Sequence, residues 1–80
     1  MYGWYKLLKE TDTEMLIGYS WERDKSCDGR LIFNKETKEM TIDKLSGSAD
    51  KSQTIYLICP IGIRVRNGIE LGKLGMVATG

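Results

Sequence analysis

Histidine, the side chain that most often serves as a general base or a zinc ligand, is absent from this 80-residue chain. Its absence excludes the Ser–His and Cys–His nucleophile pairs on which most familiar hydrolases depend. Acidic residues, Lys and Tyr could still form an acid–base pair, but the 11 scattered Asp and Glu residues show no spacing that singles one out. We therefore name no catalytic residue and expect a protein that is not an enzyme and has no cofactor.

Two segments come near to known ligand-binding patterns and fall short of them. Residues 68–74, Gly-Ile-Glu-Leu-Gly-Lys-Leu, echo a phosphate-binding loop, but they have three residues between the glycines instead of four, and Leu74 replaces the Ser or Thr that binds magnesium. Glu22, Asp24 and Asp28 are the densest carboxylate group, yet calcium requires six or more oxygen ligands. We expect a turn and a solvated loop, respectively, and no metal.

The two cysteines, Cys27 and Cys59, have no second cysteine or histidine nearby, so neither belongs to a zinc or redox motif. We expect two free thiols. A Cys27–Cys59 disulfide is the alternative that the sequence leaves open.

Large aromatic side chains are concentrated in the N-terminal half of the chain. If Lys9 faces Glu14 in a first hairpin, Trp4 pairs with Tyr19 and Tyr2 with Trp21 on one face. These four rings could form half of the core, a protein-binding surface or a base-stacking platform. We interpret them chiefly as core and take Tyr2, Trp4, Tyr19 and Trp21 as the candidate partner-binding residues.

Positive charge is in local excess only in the C-terminal part, where Arg64, Arg66 and Lys73 stand against Glu70. This basic cluster is the candidate site for an alternative function, weak binding of a nucleic acid or nucleotide. The net charge of +1 and the pI of about 7.7 argue against it, because they provide no general attraction to phosphate.

Overall composition indicates one small globular domain over residues 1–80, with 41% hydrophobic and 29% charged residues. The longest apolar run, residues 55–63, is far shorter than the roughly 20 residues that span a bilayer, so we expect no membrane association. The N-terminus does not resemble a secretory signal, and we expect a cytoplasmic protein.

Strand patterns precede a segment that can be interpreted in two ways. Residues 2–10 with 14–22, and 30–35 with 38–45, are typical of two antiparallel hairpins. In the second hairpin we expect Phe33 opposite Met40 and Leu31 opposite Ile42 on a buried face, and Arg30 opposite Asp43 on the other face. Residues 51–66 follow Asp50, which is spaced with Gln53 as a capping box. As a helix they would place Ile55, Ile58, Gly62 and Val65 on one stripe. Pro60 opposes a helix, and Asn67-Gly68 suits a third hairpin equally well.

We favour an α+β fold in which the two hairpins form an antiparallel sheet, one helix packs on it, and a short strand near 74–79 closes the chain. The alternative is a small all-β barrel. The function expected from this composition is that of a small non-enzymatic module that binds another protein or itself, as a homodimer.

Overall fold

The computed structural model describes residues 1–78 as an open sheet with one helix packed on it. The elements are β1 (Tyr2–Glu10), β2 (Glu14–Trp21), β3 (Gly29–Asn34), β4 (Met40–Lys44), α1 (Lys51–Arg66) and β5 (Leu74–Ala78). All strands are antiparallel, in the order β4-β3-β2-β1-β5. The predicted α+β fold is confirmed, and the barrel alternative is wrong because the sheet does not close. Thr79, expected in the last strand, lies outside the described residues.

The core lies between α1 and one face of the sheet, which we call the inner face. Leu57, Ile61 and Val65 project from the helix onto it and are almost completely buried. The buried sheet residues of the same core are Leu7, Met15, Ile17, Tyr19, Trp21, Leu31, Phe33 and Val77. Because side chains alternate along a strand, the residues between these positions form the opposite, outer face.

A β-bulge in β1 changes which aromatic residues share a face. Leu7 pairs with Ile17, but Lys9 pairs with Leu16, so Leu8 is an extra residue in its strand. Beyond the bulge, Trp4 lies opposite Ser20 instead of Tyr19. The predicted register of this hairpin is therefore wrong, because a shift of one residue moves a side chain to the other face.

The second hairpin has the predicted register between Leu31 and Phe33, whereas Arg30 pairs with Lys44 instead of Asp43 because the register shifts there. Phe33 pairs with Met40 and Leu31 with Ile42, which places this apolar set on the inner face. Strand β5 then returns beside β1, with Met76 opposite Trp4 and Val77 opposite Gly3. Strands β4 and β5 are consequently the two edges of the sheet.

Helix α1 begins at the predicted capping box and ends at Arg66, two residues before Gly68. The Asp50 carboxylate accepts a hydrogen bond from the Gln53 backbone N–H, and the Gln53 side chain accepts one from the Asp50 N–H. At the other end Gly68 has a φ of +96°, a left-handed conformation that favours glycine after a helix. Pro60 lies within the helix without ending it.

The buried stripe of α1 differs in part from the predicted one. It consists of Thr54, Leu57, Ile61 and Val65, with Gly62 beside it. Ile58 is half-buried, as a neighbour of this stripe, whereas Ile55 is 55% exposed. Placing Ile55 on the buried face was therefore wrong.

The loop between β2 and β3 folds across part of the outer face. The Ser20 hydroxyl accepts a hydrogen bond from the Cys27 backbone N–H at 3.2 Å and donates one to the Asp24 carbonyl. Cys27 packs directly over Gly18, where a Cβ atom would lie 2.7 Å from the Cys27 carbonyl oxygen. This loop buries Cys27 and leaves the β5 end of the outer face uncovered.

Candidate interaction site

The two edge strands differ in how well they are protected from pairing with another strand. Strand β4 contains Asp43 and Lys44, and its pairing with β3 is interrupted by an irregularity near Arg30. Charges and bulges of this kind hinder edge-to-edge pairing. Strand β5, Leu-Gly-Met-Val-Ala, has no charged residue. Its unpaired backbone groups therefore form the less protected edge.

Two apolar side chains of β5 are exposed on the outer face of the sheet. Leu74 is 39% and Met76 is 52% exposed, and Met76 lies opposite Trp4 of β1. The Trp4 indole N–H donates a hydrogen bond to the Glu22 carbonyl, and the Lys25 ammonium lies 4.9 Å from the Trp4 ring centroid. These contacts fix the ring beside β5 while leaving it only partly buried.

On the inner side, β5 faces a second stripe of α1 that the core does not use. Tyr56, Pro60, Ile63 and Asn67 follow one another at spacings of four, three and four residues, which places them on one side of the helix. Tyr56 is 57% and Ile63 is 51% exposed. A groove between this stripe and β5 is lined by Pro60, Ile63, Arg64, Asn67, Val77 and Ala78.

We call the combination of these features the edge site. It consists of strand β5, the outer-face residues Leu74 and Met76, and the α1 residues Tyr56, Pro60 and Ile63. Sequence reasoning missed it, because the exposure of Ile63 and Met76 depends on which helical stripe is buried and on where β5 pairs. The one signal available was that β5 has no charged residue.

The four predicted aromatic site residues do not share one surface. Tyr19 and Trp21 lie on the inner face, where they are buried in the core. Tyr2 and Trp4 lie on the outer face, with their rings in edge-to-face contact at a centroid distance of 6.3 Å. Only Tyr2 and Trp4 are placed near the edge site, through the pairing of β1 with β5.

The predicted basic cluster is also divided by the fold. Arg64 and Arg66 are about 200° apart around the helix. Arg64 lines the groove beside β5, whereas Arg66 donates a hydrogen bond to the Lys38 carbonyl and lies 5.9 Å from the Phe33 ring centroid. Lys73 lines a different pocket, which it shares with Glu70. These three residues therefore do not form one cationic patch.

The carboxylates of the β2–β3 loop stabilise turns. Hydrogen bonds from the Ser26 side chain and from the Ser26 backbone N–H lower the pKa of Asp24. The Asp28 carboxylate accepts hydrogen bonds from the Ser46 hydroxyl and the Gly47 N–H, and these lower its pKa. No group of three or more Cys, Asp or Glu within residues 1–78 is arranged to hold a metal ion.

Both thiols are free, so the disulfide alternative is not formed. Their environments are opposite to those suggested by the sequence, where Cys27 lies in a polar segment and Cys59 in an apolar one. Cys27 is buried beneath its loop, and this burial raises the pKa of its thiol, whereas Cys59 is exposed on α1.

Two further observations bear on what the chain can bind. The only helix within residues 1–78 lacks the length and the apolar character needed to cross a bilayer. No protein-family model, curated protein or solved structure matches the chain, so the edge site must be interpreted from its own geometry.

Proposed function

We propose that this chain is a small non-enzymatic module that binds another protein chain by strand addition at the edge site. The observation that carries the proposal is the combination of an uncharged edge strand with exposed apolar side chains on both of its faces. Large exposed apolar surfaces beside an open edge are typical of interaction sites.

Strand addition uses each part of the edge site. Backbone groups of β5 that face away from β1 would hydrogen-bond to the added strand, which supplies affinity. Because side chains alternate, every second residue of the added strand would contact Leu74 and Met76 on the outer face. The residues between would contact Pro60 and Ile63 in the groove. An added strand with apolar residues at both sets of positions fits this site best.

The structure bears differently on two other expectations from the sequence, the binding of a nucleic acid or nucleotide and a cytoplasmic location. The separation of Arg64, Arg66 and Lys73 in the fold weakens the case for a nucleic-acid or nucleotide binder. A cytoplasmic location for the module is supported by the two free thiols, since proteins in oxidising compartments usually form disulfides.

The proposal can be tested by photo-crosslinking in cells of the organism from which the chain derives. A photoreactive benzoylphenylalanine is placed at Met76 of β5 or at Thr41 of β4, one variant at a time. Both positions are exposed, lie on edge strands and belong to the outer face, so Thr41 is a matched control.

We expect light-dependent covalent adducts between position 76 and another protein chain, with no comparable adducts at position 41. Adducts with a second copy of this chain count as positive. No adduct at position 76, or equal adducts at both positions, would overturn strand addition at β5.

A further inference from the structure

We infer that the chain which occupies the edge site is a second copy of this protein, joined through antiparallel pairing of the two β5 strands. This inference rests on the proposed function and names its partner. A two-fold axis through the paired strands would make the interface self-complementary, so that each copy contributes the same surface.

The charge pattern of the edge site fits a second copy. Strand β5 has neither a basic nor an acidic residue, so it offers no charge for a partner strand to match. A complementary strand should itself be uncharged and apolar at alternate positions, and β5 meets this requirement. Among the described residues that line the groove, Arg64 alone is charged.

The position of α1 provides the second argument. The helix packs most closely on β5 and β1, at the β5 end of the sheet. Antiparallel pairing about an axis perpendicular to the sheet would place both helices on the same face. Because α1 packs on β5 and β1, such pairing would bring the two helices close to one another across the axis.

This arrangement explains the second apolar stripe of α1. An isolated peptide strand would satisfy the backbone of β5 and contact Ile63 in the groove, but it would leave Tyr56, which lies outside the groove, in water. A second copy brings its own helix, and the stripes of Tyr56, Pro60 and Ile63 would cover one another across the axis. On the outer face, Leu74 and Met76 would meet the same residues of the other copy.

The test is sedimentation velocity of the purified full chain from about 10 μM to about 1 mM, a range that covers weak and moderate complexes. Met76→Lys and Ile63→Lys introduce charge into the two sides of the edge site. Thr41→Lys, on the opposite edge, and Ile55→Lys, an equally exposed position on the helix flank away from β5, are the matched controls. Circular dichroism confirms that each variant is folded.

We expect a dimer whose dissociation constant rises about tenfold or more in Met76→Lys and Ile63→Lys and is unchanged in both controls. Added salt should strengthen the dimer, because it screens repulsion between the two Arg64 side chains, whereas binding of an acidic partner strand would weaken with salt. Hydrogen exchange of the β5 amides should slow as the concentration of the chain increases.

A wild-type chain that is monomeric at about 1 mM, or a dimer that only the control substitutions weaken, would overturn the second-copy assignment. If position 76 nevertheless crosslinks to a different protein in cells, strand addition stands and only the identity of the partner is wrong. If position 76 forms no adduct and the chain is monomeric, both proposals fail.

Discussion

The hydroxyl oxygens of Tyr19 in β2 and Thr54 in α1 lie 2.7 Å apart in the core and join the sheet to the helix. The Thr54 hydroxyl donates to the Asp50 carbonyl at 2.8 Å, so Tyr19 donates to Thr54. The Tyr19 oxygen in turn accepts a hydrogen bond from the Ser46 N–H at 3.0 Å. Every polar group in this chain of hydrogen bonds is therefore satisfied, as buried polar groups must be.

Replacing Tyr19 by Phe should destabilise the protein by about 1–3 kcal/mol, because it leaves the buried Ser46 N–H without an acceptor. The measurement is the free energy of unfolding from urea titration. Tyr56→Phe is the control, since Tyr56 is 57% exposed and loses only a solvated hydroxyl. Equal stability of the two variants would show that the hydrogen-bond chain contributes nothing.

Two glycine substitutions should have opposite effects on the free energy of unfolding. A Cβ at Gly3 would lie 2.6 Å from a Leu57 methyl and 2.9 Å from the Ser20 carbonyl oxygen, so Gly3→Ala should cost about 1–3 kcal/mol through overpacking. A Cβ at Gly62 meets nothing closer than 3.7 Å, so Gly62→Ala should stabilise α1 by about 0.5–1 kcal/mol. Thermal unfolding of both variants tests whether α1 lies directly on β1.

The two thiols should react with Ellman's reagent at very different rates. Cys59 is exposed and should react at once, whereas Cys27 is buried, with a raised pKa, and should react only when the β2–β3 loop opens. Cys59→Ser should therefore remove the fast phase and leave the slow one. A rapid reaction in Cys59→Ser would show that the loop does not cover Cys27.

Acid stability should depend on Asp28. Its pKa is lowered in the folded protein by hydrogen bonds from Ser46 and Gly47, so its contribution to stability is present above the ordinary carboxyl pKa of about 4. This contribution is lost as the pH falls from there through the lower, folded-state pKa. Asp28→Asn should reduce stability at neutral pH and make the urea midpoint less dependent on pH below about 4. An unchanged acid slope would contradict this role.

The β1–β2 hairpin could be predicted from the sequence, but its register could not. Strand composition identifies the two strands, whereas the bulge at Leu8 leaves no pattern in the residues themselves. One extra residue exchanges the faces of the aromatic set, which is why Tyr19 and Trp21 are in the core while Tyr2 and Trp4 lie on the outer face. The second hairpin has no bulge between Leu31 and Phe33, and its register was predicted correctly there but not at Arg30, beyond the shift.

The helix was predictable at its ends and ambiguous within. Asp50 and Gln53 form the expected capping box. Gly68 has the left-handed conformation that is common both after the C-terminus of a helix and in the tight turn of a hairpin. Pro60 lies within α1 although it removes one backbone hydrogen bond, because the packing of the helix on the sheet compensates for this loss. A local sequence pattern contains no information on that packing. The edge site follows from that packing and was likewise beyond the sequence.

The contrast between the two borders of the sheet limits how far association can proceed. Asp43, Lys44 and the nearby irregularity hinder pairing at one border, so the border formed by Leu74–Ala78 is the more open of the two to another strand. In the dimer that we propose, the outermost strands of the joined sheet would both be of the hindered kind. Further addition of molecules, and with it elongation into fibrils, would therefore be disfavoured at both ends.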